Sequence, residues 1–106
     1  MVRDRVYLIR VQWGKSSDAR PCIILAPPDS RGRLQVAFIS ANMSLYNPRS
    51  HFYLSSADPD YIHLKLPKPE CFVDENKYEV LVNELVKPLG ELRGELGIKF
   101  HEWFGE

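Results

Sequence analysis

The stretch RPCIILAPPDSRGRLQVAFIS, residues 20–40, decides the fold. Pro21 to Ala26 is an unbroken apolar run, as expected of a strand covered on both faces. Pro27 and Pro28 end it, because proline has no N–H to give to a ladder. Asp29 to Gly32 is turn chemistry, with glycine at its last position. Arg33 to Ser40 then alternates, with Leu34, Val36, Phe38 and Ser40 on one face and Gln35, Ala37 and Ile39 on the other. Two strands joined by a short turn predict a β-hairpin.

Working outward, Val6 to Trp13 is rich in β-branched and aromatic residues and predicts a first strand. Gly14 to Asp18 reads as a polar loop. Beyond the hairpin, Ala41 to Ser50 reads as loop and His51 to Leu54 as a short strand. Tyr61 to Leu66 alternates and predicts another strand. Cys71 to Val73 and Tyr78 to Val82 add two more. Six or seven short strands are the rhythm of a small barrel or sandwich. In the tail, Leu81, Leu85, Leu89, Leu92, Leu96, Phe100 and Trp103 recur at helical spacing. Pro88 and Gly90, Gly94 and Gly97 oppose one long helix, since an interior proline costs ~3 kcal/mol and each glycine ~1 kcal/mol. The expectation is a helix only from about Arg93, closing at Gly105. The chain is therefore expected to be one mainly β domain with a C-terminal helix, an α+β fold over residues 1–106.

Composition narrows the chemistry. Lysine and arginine together number 14, as do aspartate and glutamate, so formal net charge is zero. A binder relying on bulk attraction to nucleic acid is normally basic. Any phosphate site must therefore be local, built from a few arranged side chains. No apolar run approaches ~20 residues and no signal sequence opens the chain, so a cytoplasmic protein without a membrane span is expected. Cys22 and Cys71 form no CxxC pair, which leaves zinc without support. Their spacing does not decide whether they pair; reduced thiols suit a cytosolic protein. HExxH, GxSxG, P-loop and dinucleotide motifs are all missing from the sequence, so neither metal nor cofactor is expected.

Arg20 offers a planar fork of donors suited to phosphate. An ion pair with Asp18, or a solvated charge at a loop end, is the ordinary alternative. Ser40 ends the second hairpin strand, where a hydroxyl either bonds backbone or orients a phosphate oxygen. A hairpin brings the start of its first strand near the end of its second, so Arg20 and Ser40 can meet. His51 starts a strand close to that loop and is a possible acid or base; His101 is expected at a helix surface. Asp58 and Asp60 flank Pro59 as turn residues. Lys15, Arg31, Arg33, Arg49 and Lys65, with Trp13, Tyr46 and Tyr61, suggest a charged surface with stacking rings. Lys15, Asn42, Arg49 and His51 are the further binding candidates beside Arg20 and Ser40.

The order of these features resembles the PemK/MazF family, the toxins of bacterial toxin–antitoxin pairs. The carrying residues are ARPCIILAPP (19–28), LQVAFISANMS (34–44) and the tail LVKPLGELRGELGIKFHEWFG (85–105). The resemblance implies an SH3-like small barrel, usually a homodimer, that cleaves single-stranded RNA sequence-specifically without a metal. Arg20 matches the family's catalytic arginine before proline, and Ser40 matches its hydroxyl partner. A cognate antitoxin protein is the implied second partner. The family often carries Arg-Gly-Asp or Arg-Gly-Glu ahead of its first strand, where this chain reads RDRVYL, with Asp4 and Arg5. Phe100, Trp103 and Phe104 crowd one short helix and predict an exposed aromatic patch at a dimer interface. The other reading is a non-catalytic barrel that binds a protein partner or nucleic acid.

Overall fold

A computed structural model describes residues 3–13 and 16–105, and their side chains apart from 11–13 and 16–18. Seven strands and one helix follow in the order β1 (Arg5–Trp13), β2 (Ser16–Ile24), β3 (Arg33–Ser40), β4 (His51–Ser55), β5 (Glu70–Asp74), β6 (Tyr78–Leu81), β7 (Leu85–Glu91) and α1 (Gly94–Phe104). All pairings are antiparallel, in the order β4-β5-β3-β2-β1-β7, with β6 also on β3. The chain is thus mainly β with a C-terminal helix.

The expected hairpin is its centre. Cys22 pairs with Phe38, Ile23 with Ala37 and Ile24 with Val36. Its turn is held by Asp29, whose carboxylate accepts the backbone N–H groups of Arg31 at 2.8 Å and Arg33 at 3.0 Å. Gly32 adopts φ 74, a conformation glycine takes without steric cost. Strand β2 begins earlier than its apolar run, at Ser16. The polar residues Ser16 to Arg20 are extended because they pair with Ile9 to Trp13 of β1. Tertiary pairing outweighs their loop-like composition.

Strand β3 divides two cores. On one side Val6, Ile23, Ala37, Ile39, Leu54, Val73, Leu96 and Phe100 pack together. On the other, Ile9, Cys22, Ile24, Leu34, Val36 and Val80 form a smaller cluster. Cys22 and Cys71 are buried as free thiols in different clusters.

Two expectations are corrected and one unassigned stretch proves to be a strand. Tyr61–Leu64 is a 3₁₀ turn, not a strand, ended by Lys65 at φ 57. Asp58 and Asp60 turn the chain into it, since Asp60 N–H bonds Asp58 Oδ1 at 2.9 Å and Tyr61 N–H bonds Asp58 O at 3.0 Å. Leu85–Glu91 is a strand despite Pro88. It stands at the end of the sheet, where a missing N–H costs no ladder bond, and it pairs with β1 through two register shifts. Gly90 lets this strand approach the Tyr61–Leu64 turn, because a Cβ there would collide with the His63 carbonyl. Finally, the tail aromatics are not an exposed patch. Phe100 is fully buried, and half-buried Trp103 and Phe104 pack on the larger core. Phe52 meets the Phe100 ring edge-on at 5.6 Å and Trp103 at 5.5 Å. The helix itself runs as expected, ending at Gly105 with φ 87.

Candidate functional site

Register brings the two hairpin candidates together. The β2–β3 pairing ends at Cys22 and Phe38, two residues short of Arg20 on one strand and of Ser40 on the other, so the two lie at the same end of the hairpin. Arg20 shares the face of Cys22 and Ile24 by alternation, so it stands at the end of the smaller core. From Ser40 a row extends beyond the hairpin. Ser40 pairs with Phe72 of β5, and Phe72 with Tyr53 of β4. One line of side chains, Ser40, Phe72, Tyr53, therefore crosses three strands, and Arg20 stands on the cavity wall at its β3 end.

An open cavity of about 420 Å³ lies against this row, lined by Arg20, Phe38, Ser40, Phe72, Asp74 and Tyr78, with Leu45, Glu79 and Val80. Arg20 and Ser40 are both half-buried. The Ser40 hydroxyl oxygen accepts the Asn42 N–H at 3.2 Å, a bond that does not use its own proton. Tyr78 donates to Asp74 Oδ2 at 3.0 Å, and its ring packs on Phe38 at 4.8 Å between centroids. Burial raises the Tyr78 phenol above its usual range, and the bond to Asp74 adds to this. Asp74 Oδ1 accepts the Asn76 side-chain amide at 3.1 Å. The cavity thus offers a guanidinium, the Ser40 hydroxyl, the two carboxylates of Asp74 and Glu79, and three rings.

The other described candidates do not line the cavity. Asn42 shapes the loop: it bonds Ser40 through its N–H and accepts Ser44 Oγ–H at 2.6 Å. Arg49 is exposed, and its N–H bonds Asn47 Oδ1 at 3.0 Å. His51 is structural in its contacts. Its Nδ1 accepts the Asn47 N–H at 3.0 Å, and its ring stacks on Phe72 at 4.4 Å, beside the cavity and not in its wall. Lys15 lies outside the described residues, as does the Asp18 side chain offered as an ion-pair partner for Arg20. His101, expected at the surface, is largely covered and bonds Asp4 Oδ1 through Nε2 at 2.7 Å.

Sequence reasoning missed Phe72 and Asp74, because only the non-local β3–β5 pairing brings them beside Ser40. Among the described residues, no group of three or more His, Cys, Asp or Glu converges as metal ligands. No described helix is long and apolar enough to cross a membrane. Compared with models of known protein families the sequence matches none, and comparison with curated proteins gives no significant match.

Proposed function

We propose that the protein is a cytoplasmic endoribonuclease of the PemK/MazF type, a small-barrel toxin that cuts single-stranded RNA sequence-specifically and is neutralised by a cognate antitoxin. The observation that carries this reading is Arg20 and Ser40 together at the wall of one open cavity. The ribose 2′-oxygen attacks the adjacent phosphorus, the P–O2′ bond forms and the P–O5′ bond breaks. The Asp74 carboxylate takes the 2′-hydroxyl proton. The Arg20 fork and the Ser40 hydroxyl hydrogen-bond the phosphoryl oxygens, where charge builds. The leaving 5′-oxygen gains its proton from solvent, so the products are a 2′,3′-cyclic phosphate and a 5′-hydroxyl. These groups supply charge stabilisation and proton transfer without a metal.

Two further points support the family reading. Asp4 adopts φ 72, in the left-handed region that favours glycine. The family's Arg-Gly-Asp step has its glycine at the matching position. The mainly β fold with its C-terminal helix is also compatible with the small barrel. With Phe100 buried and Trp103 and Phe104 half-buried against the larger core, the resemblance carries the homodimer. Asp74 and Glu79 on the same cavity favour a second reading, a non-catalytic barrel that holds a cationic group of a protein partner.

The test is incubation of purified protein with a long single-stranded RNA in EDTA. Cleavage leaving 2′,3′-cyclic phosphate ends is expected, and a 2′-deoxy substitution at the cut should abolish it. Arg20→Lys keeps the charge and loses the fork. It should slow cleavage roughly a hundredfold, about 3 kcal/mol for one preorganised donor. Ser40→Ala should cost as much or less, and Ser40→Thr should keep activity. Neither Arg20→Lys nor Ser40→Ala should cost more than about 1.5 kcal/mol of stability, the latter through the lost acceptor of the Asn42 N–H. A wild type that cuts no RNA, or Arg20→Lys cutting as fast as wild type, would favour the non-catalytic reading.

A further inference from the structure

The cross-strand row does not end at the cavity. Beyond Phe72 it reaches Tyr53, whose ring lies 5.5 Å from that of Tyr46. Tyr46 is in turn 5.8 Å from Phe72 and 6.2 Å from His51. His51, Tyr53 and Phe72 share the outer face of the β4–β5 pair, while Leu54, Cys71 and Val73 fill the larger core behind it. Tyr53 is 43% exposed. Its hydroxyl is tied to Glu70 Oε2 at 2.7 Å, which holds the ring in one position. Phe72 belongs to both the cavity wall and this cluster. The rings therefore continue the cavity floor outward, away from Arg20. Two strand spacings of about 4.8 Å separate Tyr53 from Ser40 along the row. Arg49 is exposed on the loop that precedes β4.

We infer that Tyr46 and Tyr53, backed by Phe72 and His51, form a stacking platform for a base of single-stranded RNA farther along the strand from the phosphate held at Arg20 and Ser40. The inference rests on the ribonuclease reading for what lies in the cavity. The platform itself requires only a single strand. Stacking on a ring is tolerant of base identity, because every base has a π-face. The platform therefore selects unpaired RNA over duplex, while choice of sequence falls to other contacts. A base in a duplex is already stacked on its neighbours and is not free to stack here.

The experiment measures binding apart from cleavage. A fluorescently labelled, single-stranded 2′-O-methyl oligonucleotide of mixed sequence cannot supply the attacking hydroxyl. Its anisotropy is followed with wild type, Tyr53→Ala, Tyr53→Phe, Tyr46→Ala and Tyr46→Phe. Each alanine variant should bind about tenfold more weakly. Each phenylalanine variant should bind within about twofold of wild type, because the ring carries the interaction. Duplex of the same sequence should bind at least tenfold more weakly than single strand. Equal binding by Tyr53→Ala and wild type, with RNA cleavage intact, overturns the platform and leaves the ribonuclease. Ring-dependent binding without cleavage of natural RNA upholds the platform and removes the ribonuclease. Failure of wild type to bind the oligonucleotide overturns the platform, and points to a protein partner on these rings.

Discussion

The two sides of β3 are built from the same strand and finish differently. Ala37 and Ile39 look into the larger core, which Leu96 and Phe100 of α1 help to fill. Leu34 and Val36 look into the smaller core, to which α1 contributes no side chain. That side instead runs out into the cavity lined by Arg20 and Ser40. The comparison teaches where this fold has room for chemistry. Polar groups on the helix-packed side would be stripped of water with few partners available. At the end of the smaller core, strands set a cation and a hydroxyl at the wall of an open cavity. Arg20 stands at the core's mouth because the strand aims it there.

The sharpest way to break this comparison is to empty the helix-packed side. Phe100 is fully buried and contacts Phe52, Trp103 and Phe104 by ring packing. Phe100→Ala removes the ring and leaves a cavity, at a cost of about 3–5 kcal/mol. A loss of that size consumes much of a small domain's stability. Urea unfolding should show it as a lower midpoint at unchanged slope. Below the new midpoint, oligonucleotide binding should persist, since Phe100 does not line the cavity. A loss below about 1 kcal/mol would mean that the helix adds little to the larger core.

The smaller core has its own signature, a pH dependence. Burial pushes the Cys22 thiol up to about 12, although a backbone hydrogen bond from Tyr7 pulls the other way. In the unfolded chain a thiol ionises near 8.5. The folded state therefore keeps this proton where the unfolded state has lost it. The thiol's contribution is fully present below about pH 8.5 and is lost as pH rises towards 12. The expected slope from Cys22 is about 1.4 kcal/mol per pH unit within that window. Urea unfolding of wild type and Cys22→Ala at pH 8 and pH 10 checks it. The two should differ less at pH 10, because the variant lacks this term while other groups titrate in both. An unchanged difference would place Cys22 in contact with water.

How much of this was legible depended on how local the cause was. Asp29 to Gly32 and the alternation of Leu34, Val36 and Phe38 act over a few residues, and the hairpin followed from them. The helix start near Arg93 was legible because Pro88 and the glycines oppose helix regardless of context. Leu85–Glu91 was not, because its extended form comes from pairing with β1, far away in sequence. Tyr61–Leu64 misled because its alternation mimics a strand while Ile62 points to solvent, 68% exposed. The tail aromatics misled for a related reason: the face that buries them is built from strands remote in the chain. Arg20 and Ser40 were legible through the hairpin. Phe72, Asp74 and Tyr53 needed the β3–β5–β4 register, which no short motif carries.

The smallest expected effect tests how the helix is fastened. Arg93, at the N-cap position of α1, makes no side-chain capping bond. The acceptor comes from Asp60, whose Oδ2 takes the Leu96 N–H at 3.3 Å across 36 residues of chain. Gly94 permits this approach. It sits at φ 70, and a Cβ there would run into the Asp60 carboxylate. A carboxylate beside a helix N-terminus also meets the positive end of the helix dipole. Losing a capping acceptor typically costs about 1 kcal/mol. For a domain of this size that lowers Tm by about 4–8 °C. Asp60→Ala should therefore melt earlier by that amount, and Asp60→Asn, which keeps an acceptor oxygen, by less. Amide exchange at Leu96 should quicken in Asp60→Ala, whereas exchange at Phe38 beside the cavity should change only as far as global stability does. If Asp60→Ala melts with wild type, Asp60 does not fasten the helix, and packing of Leu96 and Phe100 alone holds α1 on the larger core.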